Sequence, residues 1–303
     1  MLKKGLLLLA GLSLIVLGFE LSSFSSTNPI ENSEEIGIES YAIVSWHLPE
    51  QLDFAGEPAP LDDPDIAERF DRELLVNTYW HSHTFLNIKR ANKLFPIIEP
   101  ILKENGIPND FKYLAVIESN LDFNARSPAG ASSIWQFMKE TAKIYGLQVT
   151  EEIDERYQIE KATKAACDYL NDAYTELGTW TLAAAAYNAG VAKIKKLLKS
   201  QKVDTYYNLY MTTETNRFIF RILAVKEILM NPKKYGFNYT EDDLYKSIKY
   251  KTIIVDTTIS DLAEFAVLNN TNYKTLKKLN PWLRTPHLTN KTGKEYEIKL
   301  PAQ

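Results

Sequence analysis

The chain has 303 residues, enough for two domains or for one domain with extensions. Hydrophobic residues make up 45% and charged residues 24%, as in an ordinary globular protein, and a formal net charge of −4 gives no electrostatic attraction to nucleic acid. The single cysteine, Cys167, excludes a disulfide within the chain; it reads as a small core residue of a helix, and no Cys/His cluster has the makeup of a metal site.

Lys3 and Lys4 precede an apolar stretch, residues 5–19, that ends at Glu20. A basic start and an apolar run of this length read residues 1–21 as a secretory signal or a membrane anchor. The run is short for a spanning helix, and no Cys follows it to carry a lipid. Residues 22–65 are rich in Ser, Asn, Glu and Pro and read as a linker, with local extended pieces such as residues 41–46. His81 and His83 stand two apart, a spacing suited to a strand, without an acidic or Cys partner, so no metal is expected there. Helical periodicity begins near Ile66 and runs to Tyr235. Residues 87–105 carry apolar positions at Leu94, Ile97, Ile98, Ile101 and Leu102, with Pro96 and Pro100 expected to kink or segment the helix. Further helices are expected over 111–118, 139–145, 159–177, 180–189, 191–199 and 215–229, most of them stopped by Gly or by Asn-Pro.

The run Phe111-Lys-Tyr-Leu-Ala-Val-Ile-Glu118 is the most informative of these. It opens behind Asn109 and Asp110, both good helix caps. Phe111, Leu114 and Glu118 recur at i, i+3 and i+7, so an apolar helix face also carries a carboxylate. Glu118 falls in the last turn, where desolvation and the negative end of the helix dipole both favour its protonated form. A general acid working near neutral pH needs that shift. On spacing alone, a Glu turned outward at a fraying helix end fits equally well.

The residues that follow add an ordered series: Asn124-Ala-Arg-Ser127-Pro-Ala-Gly-Ala-Ser-Ser-Ile-Trp-Gln136-Phe-Met138, Lys143-Ile-Tyr-Gly-Leu147, Asp154-Glu-Arg156, Lys161-Ala-Thr163, Trp180-Thr-Leu182, Ala186-Tyr-Asn-Ala-Gly190 and Glu214-Thr-Asn-Arg-Phe218. This series resembles the catalytic domain of the family 1 lytic transglycosylases, lysozyme-like enzymes of bacterial cell walls, and most of all their membrane-bound D type. It covers about half the chain, from Asn87 to Tyr235. The resemblance implies a lysozyme-like all-helical domain over residues 66–235 acting on peptidoglycan glycan strands in the bacterial cell envelope. It makes Glu118 the single catalytic acid, then base. Ser127, Gln136 and Asn188 would bind sugar hydroxyls and acetamides, Trp135 and Met138 would give apolar surface, Tyr187 a phenol near the acid, and Glu214 would line the groove. No cofactor is implied. Ser133 stands where the family usually has Gly, and Phe218 where it usually has Tyr.

Residues 247–301 differ. Strand character at 251–255 and 295–300 encloses two short helical patterns, 259–267 and 273–279, the second ending at Asn280-Pro281. This βααβ order is similar to a LysM sugar-binding module, with Val255-Asp-Thr-Thr258 in place of the usual Gly-Asp-Thr start. Sugar binding and plain packing are both open for it. The fold class expected is therefore mainly α, with a small α+β module at the C-terminal end. The activity implied is non-hydrolytic cleavage of the bond between N-acetylmuramic acid and N-acetylglucosamine to a 1,6-anhydro product. A hydrolytic muramidase and a non-catalytic wall-binding scaffold are the alternatives. The envelope location expected is the periplasm, with residues 5–19 as the candidate membrane contact; sequence names no protein partner.

Overall fold

The structure is a computed structural model that describes residues 43–302. The segment 1–21, read as signal or anchor, lies outside them. The described part of the expected linker does not run free of the helices. Asp53–Phe54 (β1) and Glu57–Pro58 (β2) pair as an antiparallel hairpin, and Leu52, Phe54 and Ala59 are buried in the main core. Phe54 packs edge-on against Phe111 with ring centroids 5.1 Å apart. Three apolar contacts in a Pro- and Glu-rich stretch leave no period to detect in the sequence.

Helix α1 (Pro64–Tyr79) starts where Asp63 accepts a hydrogen bond from the N–H of Asp65, with Pro64 in the first turn. Helix α2 (His81–Glu104) is continuous through Pro96 and Pro100, against the expectation of a break. Asn92, Pro96 and Pro100 all lie on its exposed side, so the carbonyls that lose their partners can reach water. The opposite side buries Ile88, Ala91, Leu94, Ile98 and Leu102, which hold the helix to the core. His81 and His83 sit in its first turn, not on a strand, and point to different sides. His83 stacks on Trp80 at 3.9 Å and its Nε2 lies 2.7 Å from the Asn120 side-chain oxygen.

Helix α3 (Phe111–Ser119) follows, then α4 (Lys139–Ile144), α5 (Ile159–Leu177), α6 (Trp180–Ala189), α7 (Val191–Gln201) and α8 (Thr213–Met230). Asp110 does not cap α3. Its carboxylate instead accepts from the Ala55 N–H at 2.8 Å and from Lys226 at 2.7 Å, tying the hairpin and α8 to the start of α3. The Ala-rich α6 is buried along Leu182–Ala186 and packs against α5, α7 and α8. Cys167 is buried, with its thiol pushed up to about 12 by desolvation.

Strands β3 (Tyr250–Val255) and β4 (Tyr296–Pro301) pair antiparallel around α9 (Leu262–Leu268) and α10 (Tyr273–Leu279). Their core holds Leu262, Ala266, Leu276, Trp282 and Ile298, and it also takes in Ile153 and Tyr157 from the helical domain. The seam is bonded as well as packed: the Asp154 N–H donates to the Trp282 carbonyl at 2.9 Å, the Arg284 N–H to the Glu152 carbonyl at 2.7 Å, and Arg284 covers the Tyr157 ring at 4.1 Å. Helical domain and module belong to one compact unit, residues 45–303.

Candidate active site

Glu118 stands in the last turn of α3, partly buried, and the helix ends at Asn120 in the left-handed region at φ 54°. Desolvation raises its pKa from the ordinary 4.5 to about 7, Glu214 adds to the rise, and Arg221 opposes it. The carboxyl is thus poised to hold its proton at neutral pH and to release it there.

Tyr187 comes from α6 and Glu214 and Arg221 from α8. The Tyr187 hydroxyl donates to the Trp135 carbonyl at 2.7 Å, and its ring meets Trp135, Phe137 and Tyr169 edge-on. Burial first, then the Glu118 charge, hold the phenol well above its usual pKa, so it stays a neutral donor beside the acid. Asn188, next along α6, accepts from the Thr215 hydroxyl at 3.0 Å, which joins α6 to the start of α8. Glu214 is exposed in the first turn of α8.

The placement of α6 depends on a distant carboxylate. Glu57 of β2 accepts from the N–H groups of Trp180 and Thr181 at 2.6 and 2.8 Å and from the Thr181 hydroxyl at 2.6 Å. A carboxylate on the free N–H groups of a helix start supplies both hydrogen bonds and favourable interaction with the dipole. Sequence reasoning did not find Glu57, because it bonds 123 residues away.

Residues 125–138 form a loop closed by short bonds. The Ser127 hydroxyl accepts from the Ala131 N–H at 3.0 Å, and the Ser133 N–H donates to the Ala125 carbonyl at 2.8 Å. Gln136, at φ 48°, turns its amide nitrogen onto the carbonyls of Ser133 at 2.7 Å and Ala125 at 3.1 Å. Arg156 reaches in from beneath. It is paired to Asp154 at 2.7 Å and donates to the carbonyls of Gly130 and Phe137 at 3.1 and 3.0 Å. Ser133 adopts φ 67°, the left-handed conformation that glycine takes without strain; it is fully buried, and its hydroxyl has no hydrogen-bond partner among the described residues.

Trp135 does not offer a face to a sugar. It is fully buried and its indole N–H donates to the Thr163 hydroxyl at 2.9 Å. Met138, by contrast, is 43% exposed at the start of α4. Phe218 lies buried in the main core. Tyr187, Glu214 and Arg221 each interact electrostatically with Glu118, and Trp135 joins them through its hydrogen bond with Tyr187. Arg221 was not singled out by sequence; a basic residue 103 positions from Glu118, inside an apolar helix pattern, carries no local signal.

Residues 95–209 match the family model of the transglycosylase SLT domain, and residues 251–303 match that of the soluble lytic transglycosylase C-terminal LysM-like domain. By that match, residues 95–209 are similar to transglycosylase SLT domains. It is similar to the membrane-bound lytic murein transglycosylase D of Escherichia coli K12, 28% identical over 232 residues that cover 73% of this chain and 50% of that protein. It is also 26% identical over 148 residues to a putative tributyltin chloride resistance protein of Alteromonas sp. strain M-1, covering 48% of this chain and 72% of that one. Among solved structures, the 70 kDa soluble lytic transglycosylase of Escherichia coli aligns at a TM-score of 0.39 with 20% identity, over 50% of this chain and 26% of that one. The chain spans about half the length of the murein transglycosylase it matches. The matched range holds Glu118, the 125–138 loop, Tyr187 and Asn188; Glu214 and Arg221 lie beyond it. Among the described residues, no helix is long and apolar enough to cross a membrane.

Proposed function

We propose that this chain cleaves peptidoglycan glycan strands in the bacterial envelope without water, with Glu118 as the only acid and base. The observation that carries the reading is the Glu118 carboxyl raised to about 7 on an apolar helix face. Glu118 protonates the bridging oxygen between N-acetylmuramic acid and N-acetylglucosamine, and the C1–O4 bond breaks. The substrate's acetamide steadies the cationic sugar. The C6 hydroxyl of the muramic acid then bonds to C1 and returns its proton to Glu118, so one carboxylate serves both transfers. Tyr187 stays neutral with its hydroxyl donating to the Trp135 carbonyl, and Gln136 and Ser127 shape the loop through their backbone bonds.

Hydrolysis by a paired-carboxylate mechanism finds less support. Glu214 is the one carboxylate whose charge bears on Glu118 among the described residues, and it is exposed at a helix start. The periplasmic face of the envelope is the proposed location, and residues 5–19 the proposed membrane contact. The test is release of soluble fragments from purified sacculi. Glu118→Gln should lower the rate by about 10²–10⁴-fold, the usual cost of losing a general acid. A variant that keeps more than half the wild-type rate removes Glu118 from the chemistry.

A further inference from the structure

Away from Glu118, a cavity of about 680 Å³ lies at the seam of the SLT domain and the LysM-like module. That volume falls within the range of about 300–1,000 Å³ common for ligand pockets. Its walls are largely apolar, with Leu94 and Ile97 from α2 facing Tyr250 and Trp282 of the module.

Its charge is opposite to that of the chain. Five lysines line it, Lys93, Lys274, Lys277, Lys278 and Lys299, against one carboxylate, Glu160. The chain as a whole carries −4. Only Lys299 is neutralised, by an ion pair with Glu160, and it also covers the Tyr250 ring at 4.5 Å. Lys277 donates to the backbone carbonyls of Leu283 and Thr285, which satisfy its protons without cancelling its charge. Among the described residues, Lys93, Lys274 and Lys278 meet no carboxylate. Uncompensated cations around a low-dielectric cleft concentrate field toward an anion. Glu160 is already engaged by Lys299 and by the Tyr250 hydroxyl, so it leaves the other lysines uncompensated. A fitting ligand therefore brings carboxylates for the lysines and apolar bulk for the walls.

We propose that this cavity binds an acidic oligopeptide with small apolar side chains. A bare polyanion leaves the apolar walls uncovered, and a neutral sugar chain has no charge for the lysines. The peptide stems of peptidoglycan have this chemistry, and that identification rests on the function proposed above. With it, the seam would hold a stem while Glu118 works on the strand.

The experiment is calorimetric titration of the full chain with the free stem tetrapeptide alanine–glutamate–diaminopimelate–alanine, without sugar, at low and at moderate salt. The expected result is saturable binding to one site that weakens with salt. The double substitution Lys274→Glu with Lys278→Glu should weaken it tenfold or more, with the melting temperature kept, since both side chains are exposed and unpaired. Absence of binding by the wild type, or equal binding by the double variant, overturns the proposal. Displacement of the peptide by an uncharged N-acetylglucosamine oligomer assigns the cavity to sugar and overturns it too. Glu118→Gln should bind the peptide as the wild type does, so failure of the peptide site and failure of the cleavage reading are seen separately.

Discussion

Glu118→Gln should make the protein more stable at neutral and alkaline pH while removing its cleavage. In the unfolded chain the carboxyl loses its proton near 4.5; in the folded protein it holds it to about 7. Between those values the folded state binds the extra proton, so wild-type stability contributed by this group falls as pH rises from 4.5 to 7, and is flat above. At about 1.4 kcal/mol per tenfold in proton affinity, the gap amounts to about 3 kcal/mol at pH 8 and vanishes near pH 4. Glutamine is neutral at every pH and escapes that loss. Urea unfolding of both proteins at pH 4, 6 and 8 measures it: the curves should converge at low pH and separate in favour of Glu118→Gln as pH rises. Stabilities that differ by a constant amount across this range would refute the desolvated acid, whatever the activity does. On the proposed mechanism the same proton sets the rate, which should fall roughly tenfold per pH unit above about 7 as the acid is lost.

Ser133→Gly should raise stability by about 1 kcal/mol, because glycine adopts φ 67° without strain and removes a buried hydroxyl that has no partner; a thermal melt that moves down contradicts this. Glu57→Ala should cost about 1–2 kcal/mol and lower turnover as well, since it frees the N–H groups that start the helix carrying Tyr187 and Asn188; melting temperature together with sacculus digestion reports both effects. Removing residues from 247 onward should leave a folded helical domain with a lower melting temperature, because Ile153 and Tyr157 lose the module core that covers them; an unchanged melt would mean the seam adds no stability.

The helices of the helical domain were legible because their signals are local. Gly146, Gly178 and Gly190 stop helices where the apolar period ends, and the i, i+3, i+7 pattern put Glu118 on a buried face. The Ser133 departure could be read the same way, as a demand on one backbone angle, and the structure meets it at φ 67°. What stayed hidden acts across the chain. Pro96 and Pro100 kept α2 whole because their freed carbonyls face solvent, a property of packing and not of the dipeptides themselves. Asp110 is a good cap by type, but Ala55 and Lys226 claim its carboxylate. Trp135 sits inside a motif that suggests a sugar platform, and only the structure tells that its ring points inward onto Thr163. The docking of the module through Gln148, Glu152 and Tyr157 joins residues more than a hundred positions apart, which no local period encodes.

The central claim is that the sugar closes on itself and water takes no part. Digestion of purified sacculi in heavy-oxygen water, followed by mass spectrometry of the released fragments, measures this directly. The account predicts N-acetylmuramic acid ends lighter by one water than the hydrated sugar and free of the heavy isotope. Hydrated ends carrying heavy oxygen at C1 would contradict it and make this SLT domain a hydrolase.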